Sequence, residues 1–205
     1  LETLLPFMGV ATLIVLMPGP DLMLVTRSVL TGGRPAGVLT ALGIATGSAA
    51  WALAGAAGLA TLLDASPELL VIIRWLGAGY LVCIGIRALL RPAEPMVSPA
   101  GGDRRTQGSG TAPFLMGLIS NLLHPGQIVF YTSLLPQFIG PEDDARLQVL
   151  QLGAVFTMIV LSWFVTYALV SSTLRPPFWD RVSPALSRIT GIVLIGFAVR
   201  TAARL

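Results

Sequence analysis

The chain has 205 residues, 54% of them apolar and only 11% charged, with a formal net charge of +3. Soluble domains carry about 25% charged residues, so this composition argues for several membrane-length apolar segments and against one soluble core. All 13 basic residues are Arg; in a membrane protein these mark cytoplasmic loops, and they are not read as a nucleic-acid footprint. The single cysteine, Cys83, excludes an internal disulfide and a redox pair, and reads as a small packing residue.

Six segments are long enough to cross about 30 Å of hydrocarbon, which takes roughly 20 helical residues. In chain order they lie near residues 3–30, 38–63, 68–90, 113–138, 147–173 and 182–203. The first has no Arg-bearing start and outruns a signal-peptide core, so it reads as a retained span. Turn formers and charges separate the spans, for example Thr31-Gly32-Gly33-Arg34-Pro35 and Gly140-Pro141-Glu142-Asp143-Asp144. Residues 91–112, rich in Pro, Gly, Ser and Arg, read as a flexible linker.

The first span carries Phe7, ten residues, then Pro18-Gly19-Pro20-Asp21; the fourth carries Phe114, ten residues, then Pro125-Gly126-Gln127. Arg74 and Gly77 of the third span recur as Arg188 and Gly191 of the sixth, followed by Gly85 and Arg87 against Gly196 and Arg200. Residues 1–90 and 113–205 therefore read as two copies of one three-span unit within a single transporter domain, 1–205. An odd number of crossings forces the second copy to sit inverted. The expected fold is an all-α membrane protein of six transmembrane helices, with helices 1 and 4 broken at their Pro-Gly motifs. Nine arginines on one side against four on the other place loops 1–2, 3–4 and 5–6 in the cytoplasm and both termini outside. A five-span chain with one terminus outside is the competing topology.

Pro18 and Pro20 lack N–H groups, so the carbonyls of Ile14 and Leu16 are expected to lose their helical partners. The second half-helix then starts with orphan donors at its positive end, which suits a carboxylate, while freed carbonyls suit an ammonium. Helix breaks in corresponding positions of two halves point to a transporter's binding site. Asp21, Asn121, His124 and Gln127 lie at the same depth, where ionisable groups are costly and functional by default. The candidate substrate-binding set is Pro18, Gly19, Pro20, Asp21, Asn121, His124, Pro125 and Gly126. Each polar member has a plainer alternative: Asp21 as a helix cap, Asn121 as interhelical glue, His124 as a structural histidine. Pro136-Gln137-Phe138 is expected to end span four. Gly43, Gly47 and Gly55, with Gly58 nearby, form a small-residue ridge for close helix packing. One histidine among scattered carboxylates is a poor metal site, so no metal and no cofactor is expected.

Pro18-Gly19-Pro20-Asp21, Gly32-Gly33-Arg34-Pro35-Ala36-Gly37, Gly43 and Gly47 resemble the start of the LysE/RhtB family of amino-acid exporters. Phe114-x-x-Gly117, Asn121-Leu122-Leu123-His124-Pro125 and Leu135-Pro136-Gln137-Phe138 resemble that family's second half. The resemblance covers essentially the whole chain. It implies a multi-pass protein of the bacterial cytoplasmic membrane that exports amino acids or small zwitterions, driven by the proton gradient. The chain departs from the family where His124-Pro125-Gly126 replaces Asn-Pro-Lys, and where Asp21 stands in place of a common Asn. The expected partners are a small-molecule substrate and the lipid bilayer, with no nucleic acid; a homo-oligomer is left open. Metal-cation export and an intramembrane enzyme are the competing functions. The first wants several inward carboxylates or thiolates, and the second wants a catalytic constellation absent from the sequence.

Overall fold

The computed structural model describes residues 3–17, 19–65, 111–124, 126–127, 130–139 and 144–171, with individual positions between 72 and 90 and between 184 and 199. Among these residues the protein is all helix, with no strand. Helix α1 covers Leu4–Leu16, α2 Pro20–Ala65, α3 Ala112–Leu122 and α4 Ala145–Val170. A π-helical turn, Phe130–Leu134, and a 3-10 turn, Leu135–Phe138, lie between α3 and α4. The linker expected over 91–112 falls almost wholly outside the described residues, as do Arg74 and Gly77 of the repeat.

Among the described residues two stretches are long and apolar enough to cross a membrane, Pro20–Gly58 and Ala145–Val170. At 1.5 Å per residue, α4 is about 39 Å long, ample for the hydrocarbon layer. Its N-terminus is set by Asp144, whose carboxylate accepts from the N–H groups of Arg146 and Leu147 at 2.9 and 3.3 Å. Helices α1 and α3 are each about 20 Å or less and cannot cross alone. Large apolar side chains stand exposed on the outer surface, Leu53 at 65% and Met158 at 60% among them. Water would penalise such a surface; lipid does not.

The expected linker at 31–35 shrinks to one residue. Helix α2 leaves helical geometry only at Gly33 (φ 74°, ψ −173°), a region essentially reserved for glycine. Pro35 follows at the start of the next helical leg, where its missing N–H is tolerated. The two legs fold back on each other: a Cβ on Gly37 would overlap Val29, and Thr40 Oγ1 lies 2.8 Å from Ser28 Oγ.

Glycines set the remaining contacts. At the α2–α3 crossing, a Cβ on Gly43 would strike the Phe114 carbonyl, and one on Gly117 would strike the Thr40 carbonyl. Each helix thus lays its glycine directly on the other's backbone. Gly55 lies against the Tyr131 ring and Val149, whereas a Cβ on Gly58 would meet nothing. Helices α2 and α4 run antiparallel, since Gly37 faces Ala168 and Gly153 faces Ala52. A 2.7 Å hydrogen bond joins Thr26 to Tyr167 across the same pair. Phe7, fully buried, packs edge-on against Phe138 at 5.2 Å, and Phe130 stacks on Phe156 at 4.0 Å. This aromatic cluster fastens the segment after α3 to α1 and α4. Cys83 departs from the expected packing role: it is exposed.

Candidate functional site

The first break is short. Helix α1 ends at Leu16, Met17 turns extended (φ −64°, ψ 128°), and α2 begins at Pro20. The Met17 N–H donates to the Ile14 carbonyl at 3.2 Å. The expectation of a freed carbonyl is therefore corrected at Ile14, where a tighter three-residue bond replaces the helical one. Pro18 lies outside the described residues. Gly19 is half-buried, and its carbonyl accepts the Met23 N–H at 3.1 Å, the first bond of the resumed helix. Pro20 is exposed at the first helical position, where proline leaves no donor stranded.

Asp21 occupies the first turn of α2, where the helix dipole favours an acid. Its side chain reaches to another helix. Oδ1 accepts from Ser120 Oγ and Oδ2 from Asn121 Nδ2, each at 3.2 Å, from residues about a hundred positions later in the chain. The two breaks thereby meet. His124 lies within electrostatic reach of the same carboxylate.

Asn121 is fully buried. Its amide orientation follows from chemistry: an ionised carboxylate only accepts, so Nδ2 faces Asp21 and Oδ1 points away. That Oδ1 has no hydrogen-bond partner among the described residues. An unpaired buried acceptor costs about 1–3 kcal/mol. Gly47, expected as a packing residue, makes the room, since a Cβ there would come within 2.8 Å of Oδ1.

The second break is longer and built differently. After Leu122 the chain turns through His124, whose N–H donates to the Asn121 carbonyl at 3.1 Å. His124 Nδ1 accepts the Gly126 N–H at 3.0 Å, which places the proton of the neutral ring on Nε2. Gly126 sits tightly in this turn, since a Cβ would come within 2.8 Å of the imidazole. Gln127 is 9% exposed, and its Oε1 has no partner among the described residues. Pro125 lies outside them. Of the expected set, Asp21, Asn121 and His124 come together; Gly126 contacts His124. Ser120 was not anticipated, because a lone serine beside Asn121 carries no signal in the sequence.

Among the described residues no three His, Cys, Asp or Glu side chains gather as a metal site. What gathers is one carboxylate and a buried amide oxygen, acceptors suited to an ammonium group, beside a histidine whose Nδ1 is already engaged.

The family model for LysE type translocators matches residues 12–204. The chain belongs to this family. Proteins similar to it include YrhP of Bacillus subtilis (strain 168), an uncharacterized membrane protein, 28% identical over 98% of this chain and 99% of its own. YahN of Escherichia coli (strain K12), also an uncharacterized membrane protein, is 32% identical over 89% of this chain and 81% of its own. A leucine efflux protein of Salmonella typhimurium is 30% identical over 94% of this chain and 91% of its own. No solved structure matches the chain. Membership of this family places the chain among membrane transporters.

Proposed function

We propose that this translocator exports an amino acid or closely related zwitterion across the bacterial cytoplasmic membrane as a proton-coupled secondary transporter. The reading is carried by one observation: the Asp21 carboxylate is bound by Asn121 and Ser120 of the other half, at the junction of two helix breaks. A carboxylate there serves either as the ammonium contact or as a proton carrier, and export against a gradient needs both. The site is taken as Pro18, Gly19, Pro20, Asp21, Asn121, His124, Pro125 and Gly126. An apolar substrate side chain has room in a groove of about 610 Å³ between α1 and α4, whose α1 wall runs from Met8 to Leu16 beside the first break. The leucine efflux relative agrees with such a substrate.

The architecture proposed for this cycle is six spans in two inverted repeats, 1–90 and 113–205, joined by the linker 91–112, with both termini outside. Antiparallel packing of the second leg of α2 on α4, the second span of each proposed unit, supports it. So does the meeting of the two breaks.

The test is Asp21→Asn in proteoliposomes loaded with leucine under an imposed pH gradient. Proton-driven efflux should fall at least about tenfold, the consequence of losing a buried hydrogen-bonded charge, with unchanged protein in the membrane. Wild-type efflux by this variant overturns the reading.

A further inference from the structure

Along α2, Thr26, Thr31, Thr40 and Thr46 each return a hydroxyl to the carbonyl one turn earlier, at 2.8–2.9 Å. That is how a helix in an apolar medium satisfies a hydroxyl. Ser48 does otherwise. It is fully buried, and its Oγ has no hydrogen-bond partner among the described residues. Trp51, most of a turn further on, has the same deficit: its indole Nε1 is buried and unpartnered among those residues.

Both groups are held in place by something other than their own polar atoms. The Ser48 carbonyl accepts the Tyr131 hydroxyl at 3.1 Å. The Trp51 ring stacks on Tyr131, with centroids 6.4 Å apart and planes at 17°. Tyr131 is itself confined, because Gly55 lies so close that a Cβ would come within 3.1 Å of its ring. Two donors thus sit fixed and unspent in a region where an unpaired polar group is costly.

Their position relative to Asp21 is informative. Gly47, the neighbour of Ser48, is the residue against which Asn121 rests. Gly47 and Trp51 are four residues apart on one helix face, about 6 Å along the axis. The Asp21 carboxylate and Asn121 Oδ1 offer acceptors near Gly47, while Ser48 Oγ–H, one residue on, and Trp51 Nε1–H, about a turn on, offer donors. An α-amino acid carries an ammonium and a carboxylate on a single carbon. The two charged groups lie about 3 Å apart, so with a contact of about 2.8 Å on each side the molecule bridges polar groups roughly 8 Å apart. Side chains about a helical turn apart can frame such a gap.

We infer that Ser48 and Trp51 bind the α-carboxylate of the substrate, opposite Asp21 and Asn121, which hold its ammonium. This rests on the amino-acid export reading and adds side-chain donors from span two to the backbone donors expected at the first break.

The experiment uses the full chain in proteoliposomes, radiolabelled amino acids, and the carboxamide of the best-transported one as competitor. Trp51→Phe keeps the ring stack and removes the N–H. The half-inhibitory concentration of the amino acid should rise about tenfold, as loss of a hydrogen bond to a charged group predicts. That of the carboxamide, whose carbonyl accepts only a neutral hydrogen bond, should change by no more than about threefold. Equal changes for both competitors, or none for the amino acid, overturn the inference. Ser48→Ala gives the same split and stands in if Trp51→Phe does not reach the membrane. If the wild type moves no member of an amino-acid panel, the export reading fails and the inference with it. If the wild type transports and both variants behave like it, only the inference fails.

Discussion

The two helix breaks do different jobs with similar sequence. The first leaves the helix for only three residues, from Met17 to Gly19, and places an acid in the next turn. The second turns through His124 and Gly126 and is followed by π-helical and 3-10 turns before α4. The first contributes charge; the second contributes neutral hydrogen-bonding groups, Ser120 and Asn121, from the turn before it. Similar punctuation therefore brings two breaks to one place in the fold, while the chemistry each supplies there differs. The phenylalanines that precede the breaks also differ. Phe7 is buried in an aromatic cluster, whereas Phe114 offers its backbone carbonyl to Gly43.

The comparison breaks most severely if the two breaks are pulled apart. Gly117→Leu would drive a side chain into the Thr40 backbone at the α2–α3 crossing, and backbone leaves less room to yield than a side chain. The expected cost is about 3 kcal/mol or more, read as loss of folded protein from detergent extracts; normal yield and melting temperature would show that the crossing is not fixed by its glycines. Next in size is Asn121→Ala, which removes one donor to Asp21 and one unpaired acceptor. Efflux should fall about tenfold, the worth of a hydrogen bond to a charged group, while the protein still reaches the membrane. Unchanged efflux would mean that the second break contributes no side chain to the site. The smallest effect is expected for Gly126→Ala. Here the obstacle is the imidazole of His124, a side chain that can rotate, so efflux should change less than about threefold, near the cost of a neutral hydrogen bond. A loss as large as that of Asn121→Ala would raise the His124 turn to equal standing with the Asp21 contact.

Much of this was legible along the chain. The breaks were readable because proline and glycine act locally, by removing a donor or a Cβ. The glycine ridge was readable because four-residue spacing keeps one face small: Gly43, Gly47 and Gly55 all lie against other elements. The extent of the 31–35 linker was not. Gly33 alone absorbs the change of direction, and the neighbouring residues stay helical once the two legs pack. The packing expected of Cys83 failed for a related reason, since an apolar helix with lipid-facing and protein-facing sides does not label them by composition.

The sequence by itself determined where the first helix must break, that Pro20–Gly58 and Ala145–Val170 are long and apolar enough for a bilayer, and where glycines let helices approach closely. These follow from covalent geometry and solvent preference within a few residues. Only the tertiary structure decided which polar groups find partners. Thr46 and Ser48 are alike as hydroxyls on one helix, yet one is satisfied by its own backbone and the other is not. Asp21 could have capped its own helix, and instead its two oxygens are taken by residues of α3. The physical reason is the same in each case. A hydrogen bond in an apolar medium is fixed by which groups packing brings within about 3 Å, and packing joins residues a hundred positions apart.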